Sequence, residues 1–160
     1  MSKALFLDRD GVLNRERGDY TYSIEDFEVL PDVPEALKLA QDKGYLLIVI
    51  SNQGGVAKGI FTQERVEVLH GMLREKLAES NVVLDEVYYC THHDEVGKCI
   101  CRKPNAGMLE KAIARFGVDA SKSLMIGDSP RDVAAAEKAG VEGVLIESNA
   151  GILNIVKKLK

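Results

Sequence analysis

At 160 residues, with 46% hydrophobic and 29% charged side chains, this chain has the size and composition of one globular domain with a full core, residues 1–160. Its net charge of −4 carries no lysine or arginine block, which argues against a nucleic-acid or membrane surface. No apolar stretch approaches the roughly 18 residues of a membrane span, and no basic segment leads into an apolar run at the N-terminus, so a cytoplasmic protein is expected; it is taken as a monomer.

The first element is a short apolar strand, Lys3 to Leu7, which runs into Asp8-Arg9-Asp10-Gly11. A run that stops at acidic residues and glycine has the pattern of a buried parallel strand ending at a ligand-binding rim. Asn14 to Leu30 is polar, with Gly18, Tyr20 and Tyr22, and is expected to be a long loop over that rim. Pro31, Asp32 and Pro34 open a helix through about Lys43, with Asp32 as its cap and Gly44 as its stop. Tyr45 to Ile50 is a second buried strand, and Ser51-Asn52-Gln53-Gly54-Gly55 is a second polar rim behind it.

Thr62 caps the next helix, whose buried face is marked by Val66, Leu69, Leu73 and Leu77. His70 lies one residue from that face and is expected to be a surface or packing residue. Val87 to Cys90 is a third strand, followed by a loop holding all three cysteines. Asn105 to Phe116 is helical by the spacing of Met108, Leu109, Ala112, Ile113 and Phe116, and Gly117 ends it. Ser123 to Ile126 is a fourth strand running into Gly127-Asp128, and Arg131 to Ala139 an alanine-rich helix. Gly143 to Ile146 and Ile152 to Leu159 are a last strand and a closing helix.

Strict alternation of strand and helix predicts an α/β fold of three layers around a parallel sheet. The polar signatures all follow strands, so they gather on one edge, which brings Asp8, Asp10, Ser51, Asn52 and Asp128 together. Two carboxylates held close need a cation or a shared proton. Magnesium suits them, since it takes hard oxygen ligands from one or two carboxylates plus a phosphate. A phosphate monoester at this edge would find Asp8 as nucleophile, giving an aspartyl phosphate, and Asp10 as acid and then base. Asp8 and Asp128, with a backbone carbonyl near Asp10 or Asp10 itself, would hold Mg2+. Ser51 and Asn52 would donate to phosphate oxygens, and Lys103 would neutralise phosphate and nucleophile near a helix start. Asp132 either braces the metal or favours the start of its helix.

Asp8-Arg9-Asp10-Gly11-Val12, Ser51-Asn52, Lys103-Pro104 and Gly127-Asp128 with Asp132 stand in the order and approximate spacing of four motifs. In these the chain resembles the haloacid-dehalogenase (HAD)-like phosphatases over nearly its whole length. More narrowly, Ser51-Asn52-Gln53-Gly54, Tyr88-Tyr89-Cys90 with His92-His93, and Cys101-Arg102-Lys103-Pro104 resemble the bacterial branch of heptose 1,7-bisphosphate and histidinol-phosphate phosphatases. The resemblance implies a Rossmann-like fold and magnesium-dependent hydrolysis through an aspartyl phosphate. It also implies a small sugar phosphate as substrate, the heptose bisphosphate ahead of histidinol phosphate. Arg9, Ser51, Asn52, Gln53, Arg102 and Lys103 are the candidate substrate contacts.

With no room for a cap domain, substrate selection falls to the loops Asn14 to Tyr22 and Gly54 to Phe61 and to the cysteine loop with Arg102. Cys90, Cys99, Cys101 and either His92 or His93 offer the four thiolate and imidazole donors of a structural zinc site. By the resemblance the histidine is His92, two after the first cysteine. The competing readings are a nucleic-acid 3′-phosphatase, a receiver-like phospho-acceptor without enzymatic activity and a metal-stapled binding module. The first lacks a basic stripe, a receiver accepts phosphate on a middle strand and lacks the second Asp two residues on, and a binding module does not need Asp8, Asp10, Lys103 and Asp128 together.

Overall fold

The computed structural model, which describes residues 1–160, sets the short apolar runs side by side in one parallel sheet. β1 (Lys3–Leu7) is central, with β2 (Tyr45–Asn52) and β3 (Glu86–Cys90) on one flank and β4 (Leu124–Gly127) and β5 (Glu142–Leu145) on the other. Each strand is followed by a helix: α1 (Val33–Asp42), α2 (Gln63–Ala78), α3 (Gly107–Phe116), α4 (Pro130–Lys138) and α5 (Leu153–Lys157). A parallel neighbour can be reached only by crossing over the sheet, which puts helices on both faces.

Side-chain alternation along the strands divides the core in two. Leu5 and Leu7 join Leu47, Val49 and Ile126 beneath α1, α2 and α5, with Leu37, Leu73 and Val156 packed on them. Ala4 and Phe6 join Ile48, Ile50 and Met125 beneath α3 and α4, with Leu109, Ala112 and Ala135 on them. Being covered on both faces, β1 and β2 read as nearly unbroken apolar runs, whereas the edge strands β3 and β5 are largely half-buried.

The chain steps outward from β1 to β3 and then returns to β4 on the far side of β1. Such a reversal opens a crevice at the carboxyl ends of the strands. Leu7 is level with both Val49 and Ile126, so Asp8 comes off β1 beside Ile50 and Gly127.

Several boundaries differ from the sequence expectation, each for a local reason. β2 continues through Ser51 and Asn52, because β3 pairs with it up to Asn52↔Cys90. The expected rim residues are therefore the last rungs of a ladder. α3 begins at Gly107, two residues later than expected, and a 3-10 turn over Ala120–Lys122, unforeseen in the sequence, leads into β4. β5 starts one residue early, and the closing helix is shorter than its apolar pattern. Thr62 caps α2 as expected, accepting from the Arg65 amide.

Asp32 does not cap α1. Its Oδ2 instead accepts the backbone N–H groups of Ile152 and Leu153, at 2.8 and 2.9 Å, and so holds the start of α5 from 120 residues away. Gly151, at φ +90°, leaves room for this, since a Cβ there would stand 2.7 Å from the same carboxylate oxygen. Asp32→Ala is expected to cost about 1–2 kcal/mol in urea unfolding. Amide exchange should quicken at Ile152 and Leu153 and stay unchanged over α1; quickening of α1 instead would mean that Asp32 serves its own helix.

Candidate active site

Three carboxylates and one ammonium meet at the crevice. Asp8 directly follows β1, with its N–H bonded to Ile126 O at 3.0 Å; Asp128 directly follows β4, and Asp132 is in the first turn of α4. Their oxygens lie within 4.8 Å of one another. Lys103 enters from the loop before α3, its side chain only 2% exposed. Its Nζ sits 2.9 Å from Asp8 Oδ1, 2.6 Å from Asp132 Oδ1 and 2.6 Å from Ile50 O. Asn52 positions it through the backbone, accepting from Lys103 N at 3.0 Å and donating to Lys103 O at 3.1 Å. The Asn52 carboxamide thus holds the peptide of the lysine.

Two glycines let the acids approach. A Cβ on Gly11, which sits at φ +85°, would stand 2.0 Å from Asp128 Oδ2, and one on Gly127 would stand 2.2 Å from Asp132 Cβ. Ser129 caps α4 in a reciprocal box with Asp132, whose Oδ2 accepts Ser129 N at 3.1 Å. Both Asp132 oxygens are therefore engaged. Asp128 Oδ2 accepts only from Ser148 Oγ, at 2.6 Å, and Asp8 keeps one oxygen without a partner.

Burial pushes Asp8 up to about 8; Asp132 and Asp128 push the same way and Lys103 opposes them. Burial alone would lower Lys103, but Asp8 and Asp132 outweigh it and hold the ammonium above its ordinary range. One ammonium for three carboxylates leaves negative charge uncompensated. That imbalance, with hard oxygen donors converging, fits a divalent cation of the magnesium type held by Asp8 and Asp128. When bound, such a cation would stabilise Asp8 as the carboxylate.

Asp10 stands apart from this trio. Arg9 Nη2 donates to its Oδ1 at 2.8 Å, Asn14 Nδ2 to the same oxygen at 2.9 Å, and Gln53 Nε2 to Oδ2 at 3.1 Å. Burial would raise Asp10, but the Arg9 charge and these hydrogen bonds outweigh it and hold the carboxyl below its usual range. The acid that joins Asp8 and Asp128 in the cluster is Asp132, while the Asp10 carboxylate lies outside it.

Two expected phosphate contacts are buried in this structure. Arg9 is fully enclosed; beyond Asp10 it reaches Thr21 O at 3.1 Å and His70 Nε2 at 3.4 Å, and it does not line the cavity. Ser51 is also fully buried, its Oγ accepting Gln53 Nε2 at 2.9 Å. Asn52, Gln53, Arg102 and Lys103 do border the cavity, whose volume is about 410 Å³. The loop Glu16 to Thr21 walls its opposite side, tied down by Asn149, which bonds Glu16 N and Glu16 O at 2.7 and 2.9 Å. Ser148 and Asn149 were missed in the sequence, although they follow β5 much as Asp128 follows β4.

The cysteine loop closes on itself. Cys90 Sγ lies 3.7 Å from Cys99 Sγ and 2.9 Å from Cys101 Sγ, and His92 Nδ1 lies 3.3 and 3.2 Å from Cys90 and Cys101. A tetrahedron of bonds of about 2.3 Å has edges of about 3.8 Å, so the Cys90–Cys99 spacing matches, the two imidazole spacings are shorter, and the Cys90–Cys101 spacing is well short of that edge. Three thiols and one imidazole are a donor set compatible with a zinc site whose every place is filled by protein. His93 is outside the cluster, on the cavity wall.

Comparison with known proteins agrees with this geometry. Residues 100–152 match a family model described as HAD-hydrolase-like. D-glycero-beta-D-manno-heptose-1,7-bisphosphate 7-phosphatase of Haemophilus ducreyi is 45% identical over 157 residues, covering 94% of this chain and 86% of that protein. The enzyme of the same name from Haemophilus influenzae is 36% identical, with both chains covered in full. Among solved structures, the D,D-heptose 1,7-bisphosphate phosphatase of B. bronchiseptica, complexed with magnesium and phosphate, superposes with a TM-score of 0.86 at 30% identity. It covers 97% of this chain and 85% of its own.

His70 generates a pH prediction. Burial, reinforced by Arg9, lowers it from 6.5 to about 3. The unfolded chain therefore binds a proton that the folded chain refuses between those values, and stability falls as pH drops through that window. The slope from this group is at most about 1.4 kcal/mol per pH unit. His70→Gln should show a shallower loss of stability than the parent between pH 6 and about pH 4; equal slopes in denaturant titrations would refute it.

Proposed function

Since the chain belongs to the HAD-like phosphatases and hydrolyses phosphate monoesters, we propose that its substrate is D-glycero-D-manno-heptose 1,7-bisphosphate, cleaved at the 7-phosphate. The chemistry rests on one observation, the meeting of Asp8, Lys103, Asp128 and Asp132 at a single crevice. The choice of sugar is supported by the names of the relatives, which span the full length of this chain. The reading includes one catalytic domain over residues 1–160, working as a cytoplasmic monomer on a small ester. A nucleic-acid substrate is disfavoured by the net charge of −4.

In the proposed reaction Asp8 attacks phosphorus in line, a P–O bond forms, and the bond to the sugar oxygen breaks. Lys103 holds Asp8 in place and offsets charge on the phosphoryl oxygens. Asp10 hands a proton to the departing oxygen. Arg9 favours the ionised carboxyl, and an arriving phosphoryl dianion works against that by like-charge repulsion. As the carboxylate again, Asp10 takes a proton from the water that hydrolyses the aspartyl phosphate. Mg2+, held by Asp8 and Asp128, would supply charge stabilisation to the phosphoryl oxygens.

Zinc on Cys90, His92, Cys99 and Cys101 would fix the loop whose last ligand precedes Lys103 by two residues. The role is supported by the four converging donors, and it would orient Arg102 and Lys103 without touching the reaction.

The test is a panel of phosphate esters read as kcat/KM. Heptose 1,7-bisphosphate should exceed fructose 1,6-bisphosphate and histidinol phosphate by at least about tenfold, roughly 1.4 kcal/mol; preference for histidinol phosphate would overturn the substrate. Asp8→Asn should show no turnover, and Asp10→Asn should still bind phosphate while losing about 10²–10⁴-fold in rate. Full activity in either would remove that residue's role. Metal analysis should find about one zinc per chain in the parent and none in Cys101→Ser, whose kcat/KM should also fall. A parent free of zinc with three reactive thiols would refute the loop assignment.

A further inference from the structure

His93 is a titratable side chain that neither the metal cluster nor the hydrolytic groups use. It borders the cavity next to the zinc-candidate loop, and its neighbours fix both its position and its tautomer. Glu95 N donates to His93 Nδ1 at 3.1 Å. A ring nitrogen that accepts a hydrogen bond carries no proton, so the proton of the neutral ring is on Nε2. Nε2 has no partner within the chain.

The backbone around His93 is equally determined. Its carbonyl accepts from Val96 N and Gly97 N at 2.9 and 3.0 Å, and the preceding carbonyl of His92 accepts from Arg102 Nη1 at 3.2 Å. Lys58 pairs with Glu95 at 3.3 Å, and Ala57 N bonds Thr91 O at 3.1 Å, joining this loop to the one that follows β2.

Gly54 shows where the free edge of the ring lies. A Cβ on Gly54 would stand 2.8 Å from His93 Cδ2, the carbon bonded to Nε2, and 2.8 Å from Arg102 Nη1. The imidazole and the guanidinium therefore close on the same glycine at the cavity wall. Arg102 Nε is buried and has no hydrogen-bond partner; the exposed Asp94 carboxylate stands 3.8 Å from it. Arg102 has only donors to offer, and so does His93 in this tautomer. Two donors side by side, one of them a guanidinium, suit a phosphoryl group, which brings negative charge and acceptor oxygens, better than a neutral sugar hydroxyl.

We infer that His93 is a substrate-contacting residue that donates from Nε2 to the second, non-reacting phosphoryl group of the substrate, beside Arg102. The inference rests on the reading of the substrate as a bisphosphate. It gives the metal-stapled loop a second task, because a ligand at His92 fixes the backbone on which His93 is carried. Gly54 is part of the arrangement, since any side chain there would displace both donors.

The experiment compares heptose 1,7-bisphosphate with heptose 7-phosphate, each as kcat/KM, in the parent, His93→Ala, His93→Gln and His93→Asn, with zinc measured in every protein. The parent should prefer the bisphosphate. His93→Ala should lose about tenfold to a hundredfold on the bisphosphate, the worth of one donor to a charged acceptor, with little change on the monophosphate and the same zinc content. Gln, whose amide nitrogen reaches as far as Nε2, should recover part of the preference, and Asn, too short, should not. An unchanged preference in His93→Ala, an equal loss on both esters, or loss of zinc would each overturn the assignment. A parent that turns over neither heptose ester would instead sink the substrate reading, and the role of His93 would fall with it.

Discussion

The buried ammonium of Lys103 is the interaction on which this structure depends. It lies between Asp8 and Asp132 with almost no access to solvent, and its third partner is the carbonyl of Ile50. An ion this deep is tolerated only when its hydrogen-bonding directions are filled and opposite charge surrounds it. Here an acid from each of two neighbouring strand-helix units supplies the charge and the last apolar residue of β2 supplies the carbonyl. The ends of β1 and β2 and the start of α4 thus carry the charged site. The remaining excess of carboxylate is what makes a divalent cation fit beside Asp8 and Asp128.

Lys103 itself belongs to no strand or helix, so something must carry it to the crevice. Two links do this. Asn52, at the end of β2, grips both the N–H and the carbonyl of the lysine. The cysteine loop leaves β3 at Cys90 and returns at Cys101, so drawing the sulfurs together shortens the tether just ahead of Lys103. Closing a loop of this length lowers the entropy of its open states. The same closure brings Arg102 and His93 against Gly54 on the cavity wall.

Asp10 is governed by a second, separate buried cation. Arg9 turns inward beneath Thr21 and against His70, so its charge acts on Asp10. Two carboxyls only two residues apart thus receive opposite treatment. Burial, with Asp132 and Asp128, raises Asp8, while Arg9, Asn14 and Gln53 lower Asp10. Such a separation suits a pair in which one group bonds to phosphorus and the other moves protons.

The sequence by itself determined the alternation of strand and helix, the parallel sheet, and the gathering of Asp8, Lys103 and Asp128 at one edge. Those follow from local signals, namely apolar runs, helix stops at glycine, and polar residues placed directly after strands. The cysteine cluster was equally legible, because its four donors lie within twelve positions. Only the tertiary structure decided which way side chains turn once they reach the rim. Arg9 and Ser51 carry the same polar groups whether they face a ligand or the interior, and burial chose the interior for both. Asp32 bears the signature of a cap for its own helix, yet the amides it meets belong to α5. His92 and His93 are adjacent and chemically identical, and the course of the backbone sends one to the sulfurs and the other to the cavity. Pattern along a chain reports what a residue can bond to; which partner arrives is settled by contacts between segments far apart in that chain.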